Sequence, residues 1–97
     1  MARIELAPEV LDDMERFLSH LEQHEASHPL QRVAELIQGL QILASHPLIG
    51  RPARSGKREL VIGQGVRGYI ALYRFVERLD TVFVLALRSQ REAGFKR

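Results

Sequence analysis

"RELVIGQGVRGYIALYRFVERLDTVFVLALRS", residues 58–89, decides the fold. It holds three runs of the aliphatic and aromatic residues that a pleated surface favours: 58–63, 67–76 and 80–88. The connections "QGV", with Gly65, and "ERL" are short, as between antiparallel neighbours, so the stretch predicts a three-stranded meander. The run 81–87 is apolar at both parities and predicts a central strand covered on both sides. Along 67–76, Arg67 shares a parity with Tyr69, Ala71, Tyr73 and Phe75. Arg74 has the parity of Ile70 and Leu72 unless a bulge intervenes. Two guanidiniums in a strand built for burial need a carboxylate such as Glu59, Glu77 or Asp80, or an anionic partner.

Upstream, "RIEL" (3–6) reads as a strand stopped by Pro8. Pro8 opens a helix whose first turns carry Glu9, Asp12 and Asp13, on the positive end of the dipole. Val10, Met14, Phe17 and Leu21 repeat at helical spacing, with Leu11 and Leu18 widening the stripe. Pro29 opens a second helix with Leu30, Val33, Ile37, Leu40 and Ala44 along its stripe, flanked by Leu36 and Leu43; Gly39 weakens it or lets a neighbour approach. "HPLIGRPARSGK" ends it. The expected order is β-α-α-β-β-β, an α+β fold in one domain spanning 1–97. An antiparallel helical hairpin covers one sheet face, and a short basic tail, "SQREAGFKR", carries Phe95 as its anchor. About 97 residues leave little chain for a second layer. The other sheet face, with Tyr, Phe and Arg, is therefore expected to serve as an interface.

Charge supports that expectation. Residues 1–47 carry three basic and eight acidic side chains; residues 48–97 carry eleven basic and four acidic ones. Twelve of the 14 basic residues are arginine, the side chain suited to bidentate contacts with phosphate or carboxylate. With no cysteine there are neither disulfides nor thiolate metal sites. No apolar run approaches a membrane span and no signal-peptide core opens the chain, so a soluble, cytoplasmic protein is expected.

Catalytic motifs are scarce. His20 and His24 have a ligand-like i,i+4 spacing but no third ligand in an obvious motif, so no metal or cofactor is expected. "GQGVRG" (63–68) lies between strands and opens no helix, unlike a phosphate loop. What remains is a basic and aromatic surface. The expected contact residues are Arg58, Arg67, Tyr69, Tyr73, Arg74, Arg88, Arg91, Phe95, Lys96 and Arg97.

"HPLIGRP", "RELVIG", "RGYIALYR", "TVFVLALR" and "REAGFKR", behind a strand and a helical hairpin, are together similar to the RelE/ParE superfamily. These are toxins of bacterial type II, plasmid-stabilising, toxin–antitoxin systems. The resemblance covers essentially the whole chain and rests on the order and spacing of the pieces. It implies a cognate acidic antitoxin that covers the open sheet face, and operator DNA met only through that antitoxin. A homodimer through a free sheet edge is a further possibility when the antitoxin is missing. The superfamily has two activities: ribosome-dependent mRNA cleavage (RelE-like) and poisoning of DNA gyrase by binding (ParE-like). Nuclease members usually place an arginine after the Gly-Tyr pair and a Tyr or His in the tail. Here those positions hold Ile70 and Phe95, and Gln90 falls about where another catalytic arginine is expected. The resemblance therefore favours a gyrase inhibitor over an mRNA interferase or a non-toxic antitoxin-binding relative.

Overall fold

The computed structural model describes residues 1–24, 27–63 and 67–96. Its elements run β1 (Arg3–Leu6), α1 (Pro8–Gln23), α2 (Pro29–Leu40), α3 (Ile42–Ser45), β2 (Arg51–Pro52), β3 (Arg58–Ile62), β4 (Tyr69–Val76) and β5 (Thr81–Ser89). Short 3-10 turns at Arg54–Gly56 and Glu77–Leu79 precede β3 and β5. The five strands form one sheet in the order β1-β5-β4-β3-β2. The meander is as expected: β3, β4 and β5 pair antiparallel in turn. β1 adds to the free side of β5 in parallel, Ile4 opposite Val82 and Leu6 opposite Val84, which makes β5 central. The two-residue β2 is an addition that the sequence pattern does not signal. The connection 64–66, read from sequence as a hairpin link, lies outside the described residues.

α1 lies over β5 and α2 over β3, on one face of the sheet. Val10, Met14, Phe17 and Leu21 are buried, as their spacing predicts. The second stripe is rotated from expectation. Leu36, Leu40 and Leu43 face the core, whereas Leu30 and Ile37 are 71% and 39% exposed. The helical path also breaks at Gln41, so Leu43 reaches the core from α3. Gly39 fulfils the close-approach reading, since a Cβ there would sit 2.5 Å from Cγ2 of Ile62.

The sheet's alternation switches once. Leu72 pairs with Ala86 but Tyr73 pairs with Val84, so the register shifts by one residue at a bulge at Leu85 of β5. Val82 and Val84 face the helices before it, and Leu87 after it. Parity along β4 is undisturbed: Tyr69, Ala71, Tyr73 and Phe75 pack with the core. Expectation is corrected here, because those aromatic residues line the helix-covered face. The outer face carries Ile70, Leu72, Arg74, Phe83, Ala86 and Arg88 instead, as the register dictates.

Tyr73 is fully buried, and its hydroxyl accepts a 2.9 Å bond from the Gly50 amide. The Gly50 carbonyl in turn accepts a 2.8 Å bond from Arg58, which also reaches the Leu48 carbonyl. Tyr73 and Arg58 therefore clasp the 46–50 loop to the sheet. Burial pushes the Tyr73 phenol up, against the Gly50 bond and Arg58. Tyr73→Phe orphans a buried amide and should cost about 1–2 kcal/mol in urea unfolding. Gly50→Ala should cost at least as much, because its Cβ would meet the Glu59 carbonyl and the Tyr73 ring at 2.7 Å. Unchanged stability in Tyr73→Phe would return this residue to the list of partner contacts.

Candidate functional site

β1 ends opposite Val84, where Ala7 donates to the Val84 carbonyl, and β5 runs on past it. Asp13 of α1 lies against that extension. Its carboxylate, 1% exposed, accepts the Leu87 amide at 2.9 Å. Arg16, one turn on, bonds Asp13 at 2.8 Å and approaches the Leu87 carbonyl at 3.4 Å. Its other donors hold both oxygens of Glu92, at 3.0 and 3.1 Å. Glu92 also accepts the Ser89 amide at 2.9 Å. Burial alone would raise the Glu92 carboxyl, but the bonds from Arg16 and Ser89 outweigh it and hold it below its usual value. This cluster fixes where β5 ends and how the tail leaves it.

The tail then turns back to the outer face. Arg88 donates to the carbonyls of Glu92, at 2.8 Å, and Ser89, and its guanidinium lies 5.4 Å from the Phe95 ring centre. Beside it on that face Ile70 and Ala86 are 4% and 2% exposed. The expectation of a wholly open outer face is therefore corrected at this end. Further along, Leu72 and Phe83 are half-buried and Arg74 is exposed, donating to the Ser55 carbonyl at 2.7 Å. Arg74 takes a main-chain oxygen, and Glu59, one of the three carboxylates named for it, pairs with Arg51 at 3.0 Å.

On the opposite side, the start of β4 and the ends of α1 and β5 enclose a cleft of about 350 Å³. His20 of α1, His24 just past its end, Arg32 of α2, Arg67 and Arg91 surround it. Tyr69 is half-buried at its centre, with its ring 4.8 Å from that of Phe17. Burial raises the Tyr69 phenol, and Arg32 pulls it partly back. A hollow of about 250 Å³, with Phe17, Leu21 and Tyr69 on its apolar side and Arg16, Arg91 and Glu92 on its charged side, adjoins the cleft through shared walls.

The ten expected contact residues thus divide. Arg67, Tyr69 and Arg91 meet in the cleft; Arg74, Arg88 and Phe95 lie on the outer face. Lys96 stands 4.0 Å from Glu92. Arg58 and Tyr73 hold the core, and Arg97 lies outside the described residues. Sequence reasoning missed Arg32, Asp13, Arg16 and Glu92. Asp13 did carry a signal, a charge three residues after Val10 on the apolar stripe. His20 and His24 stack at 4.1 Å between ring centres. Among the described residues no group of three or more candidate metal ligands occurs, and no helix is long and apolar enough to cross a membrane.

A helical pair on one face of a sheet ordered in this way is the fold of RelE/ParE-superfamily toxins. The toxin in the chromosomal ParDE system from P. aeruginosa superposes with a TM-score of 0.75 at 16% identity, over 92% of this chain and 96% of that one. RelBE2 from Mycobacterium tuberculosis gives 0.66 at 19%, over 92% and 98%. The E. coli RelBE complex gives 0.62 at 14%, over 95% and 100%. Comparison with curated protein sequences yields no match. The family model for the ParE toxin of the type II toxin–antitoxin system parDE matches residues 4–94, and the chain belongs to that family.

The Glu92 carboxyl, depressed in the folded state, contributes stability that is complete above the ordinary glutamate value of about 4.3 and lost as pH falls through its lower folded value. Glu92→Gln should lower stability by about 1 kcal/mol near pH 7 and flatten the acid limb of the stability curve. A variant matching the parent at every pH would show that Glu92 is not held by Arg16.

Proposed function

We propose that this ParE-family toxin binds DNA gyrase and blocks its cycle, and that the acidic segment of a cognate antitoxin neutralises it. The observation that carries the reading is the chemistry of the outer sheet face. The position after Gly68 and Tyr69, an arginine in nuclease relatives, is Ile70, and it is almost fully buried. Its neighbour Arg88 is held by the tail. Cleaving RNA needs a base at the 2′-oxygen and an acid at the leaving oxygen. Arginine stays protonated and Phe95 has no proton to exchange, so this face suits contact better than bond chemistry. Leu72, Phe83 and Arg74 combine half-buried apolar surface with one exposed guanidinium, the composition of an interface centre and its rim.

The antitoxin reading is supported by the arginine enrichment of the second half of the chain and by structural neighbours solved as toxin–antitoxin complexes. Purified gyrase should lose supercoiling activity on addition of the chain, with cleaved DNA–gyrase complexes accumulating. Arg74→Glu should weaken that inhibition roughly tenfold at unchanged fold, since the exposed side chain holds only a loop carbonyl. Unimpaired supercoiling together with codon-specific cuts in mRNA on translating ribosomes would overturn the reading in favour of an mRNA interferase. Neither effect, with no growth arrest on expression alone, would leave only an antitoxin-binding protein.

A further inference from the structure

We infer that the cleft around Tyr69 is a binding site for one nucleotide unit of single-stranded nucleic acid. The first ground is the distribution of unpaired arginines. Among the described residues, the guanidiniums of Arg3, Arg16, Arg51, Arg58, Arg74 and Arg88 each bond a carboxylate or carbonyl. Arg32, Arg54, Arg67, Arg78 and Arg91 have no such side-chain bond there. Three of these five line this one cleft, brought there from α2, the approach to β4 and the turn after β5. Glu35 and Glu92 line hollows next to the cleft, yet among the described residues neither forms an ion pair with Arg32, Arg67 or Arg91, so an anion entering between the three guanidiniums would relieve their mutual repulsion.

The second ground is the shape of the site. The basic cleft, about 350 Å³, opens beside a hollow of about 250 Å³ in which Phe17, Leu21 and Tyr69 supply the apolar wall and Arg16, Arg91 and Glu92 the charged rim. A phosphate on the guanidiniums, with its base lodged in the hollow, uses both parts. Cationic side chains beside an aromatic ring are the usual arrangement for single strands. Arginine in particular matches phosphate oxygens bidentately. An acidic peptide is the competing occupant. Extended peptides gain affinity from main-chain bonds at a sheet edge. The outer strands of this sheet are β1 and β2, and where β5 runs past β1 towards the cleft the amides of Leu87, Ser89 and Gln90 are already taken by Asp13, Glu92 and the Gly68 carbonyl. The cleft's donors are guanidiniums, imidazoles and the Ser27 and Ser89 side chains, which suit phosphate oxygens. The site stands apart from the identity of the toxin's target, because it involves neither the outer face nor gyrase.

The test is fluorescence anisotropy of a labelled eight-nucleotide single strand with the purified chain across a salt series. Neutralising one phosphate predicts a log–log salt slope of about −0.7. Arg67→Ala and Arg91→Ala should each weaken binding roughly tenfold and make the slope shallower. Arg78→Ala, which removes an exposed and equally unpaired arginine in the β4–β5 turn, should leave both unchanged. Circular dichroism confirms that each variant is folded. Absence of binding, an equal loss in Arg78→Ala, or displacement of the strand by poly-glutamate but not by unlabelled oligonucleotide would each overturn the assignment.

Discussion

The buried Asp13 carboxylate on the Leu87 amide is the contact on which the working surfaces depend. β1 pairs with β5 as far as Val84, and a strand edge facing the interior cannot be left with open amides. Asp13 supplies the missing acceptor from a helix, and Arg16 offsets the charge this buries. Because Arg16 also grips Glu92, one cluster sets both the end of the central strand and the path of the tail. Removing one member of such a cluster leaves another charge uncompensated, which is why its parts are strongly coupled.

Two surfaces follow from that geometry. The strand's end and the turn after it place Ser89 and Arg91 against Tyr69 and the helices, forming the basic cleft. The same turn sends Phe95 back to Arg88, covering one end of the outer face while Leu72, Phe83 and Arg74 remain accessible to different degrees. A small chain thereby offers an apolar, singly charged face on one side of its sheet and a polycationic recess on the other. The net charge of +2 hides this division, because the acidic residues concentrate in the first half of the chain.

Element types were legible because apolar spacing is a direct consequence of one-sided burial. The stripe Val10, Met14, Phe17 and Leu21, the parity of β4 and the centrality of β5 all follow from it. The bulge at Leu85 was not legible, since a run apolar at every position carries no polar marker of a change in face. The break at Gln41 was hidden for a related reason: its flanking residues are compatible with a continuous helix. Tyr73 was misread because its partner is a main-chain amide 23 positions away, which no side-chain pattern reveals. Arg32 joins Arg67 and Arg91 only through the packing of α2 on the sheet. The placement of those guanidiniums is a property of the fold, although their abundance is written in the composition.

Amide hydrogen exchange at Leu87 is the most direct measurement of the Asp13 contact, compared between the parent chain and Asp13→Asn at matched pH. The expected result is that Leu87 in the parent exchanges as slowly as the paired amides of β4, and that Asp13→Asn accelerates Leu87 and its neighbours towards the tail more than β3. Rapid exchange of Leu87 in the parent, or an Asp13→Asn pattern indistinguishable from it, would contradict the role assigned to this carboxylate.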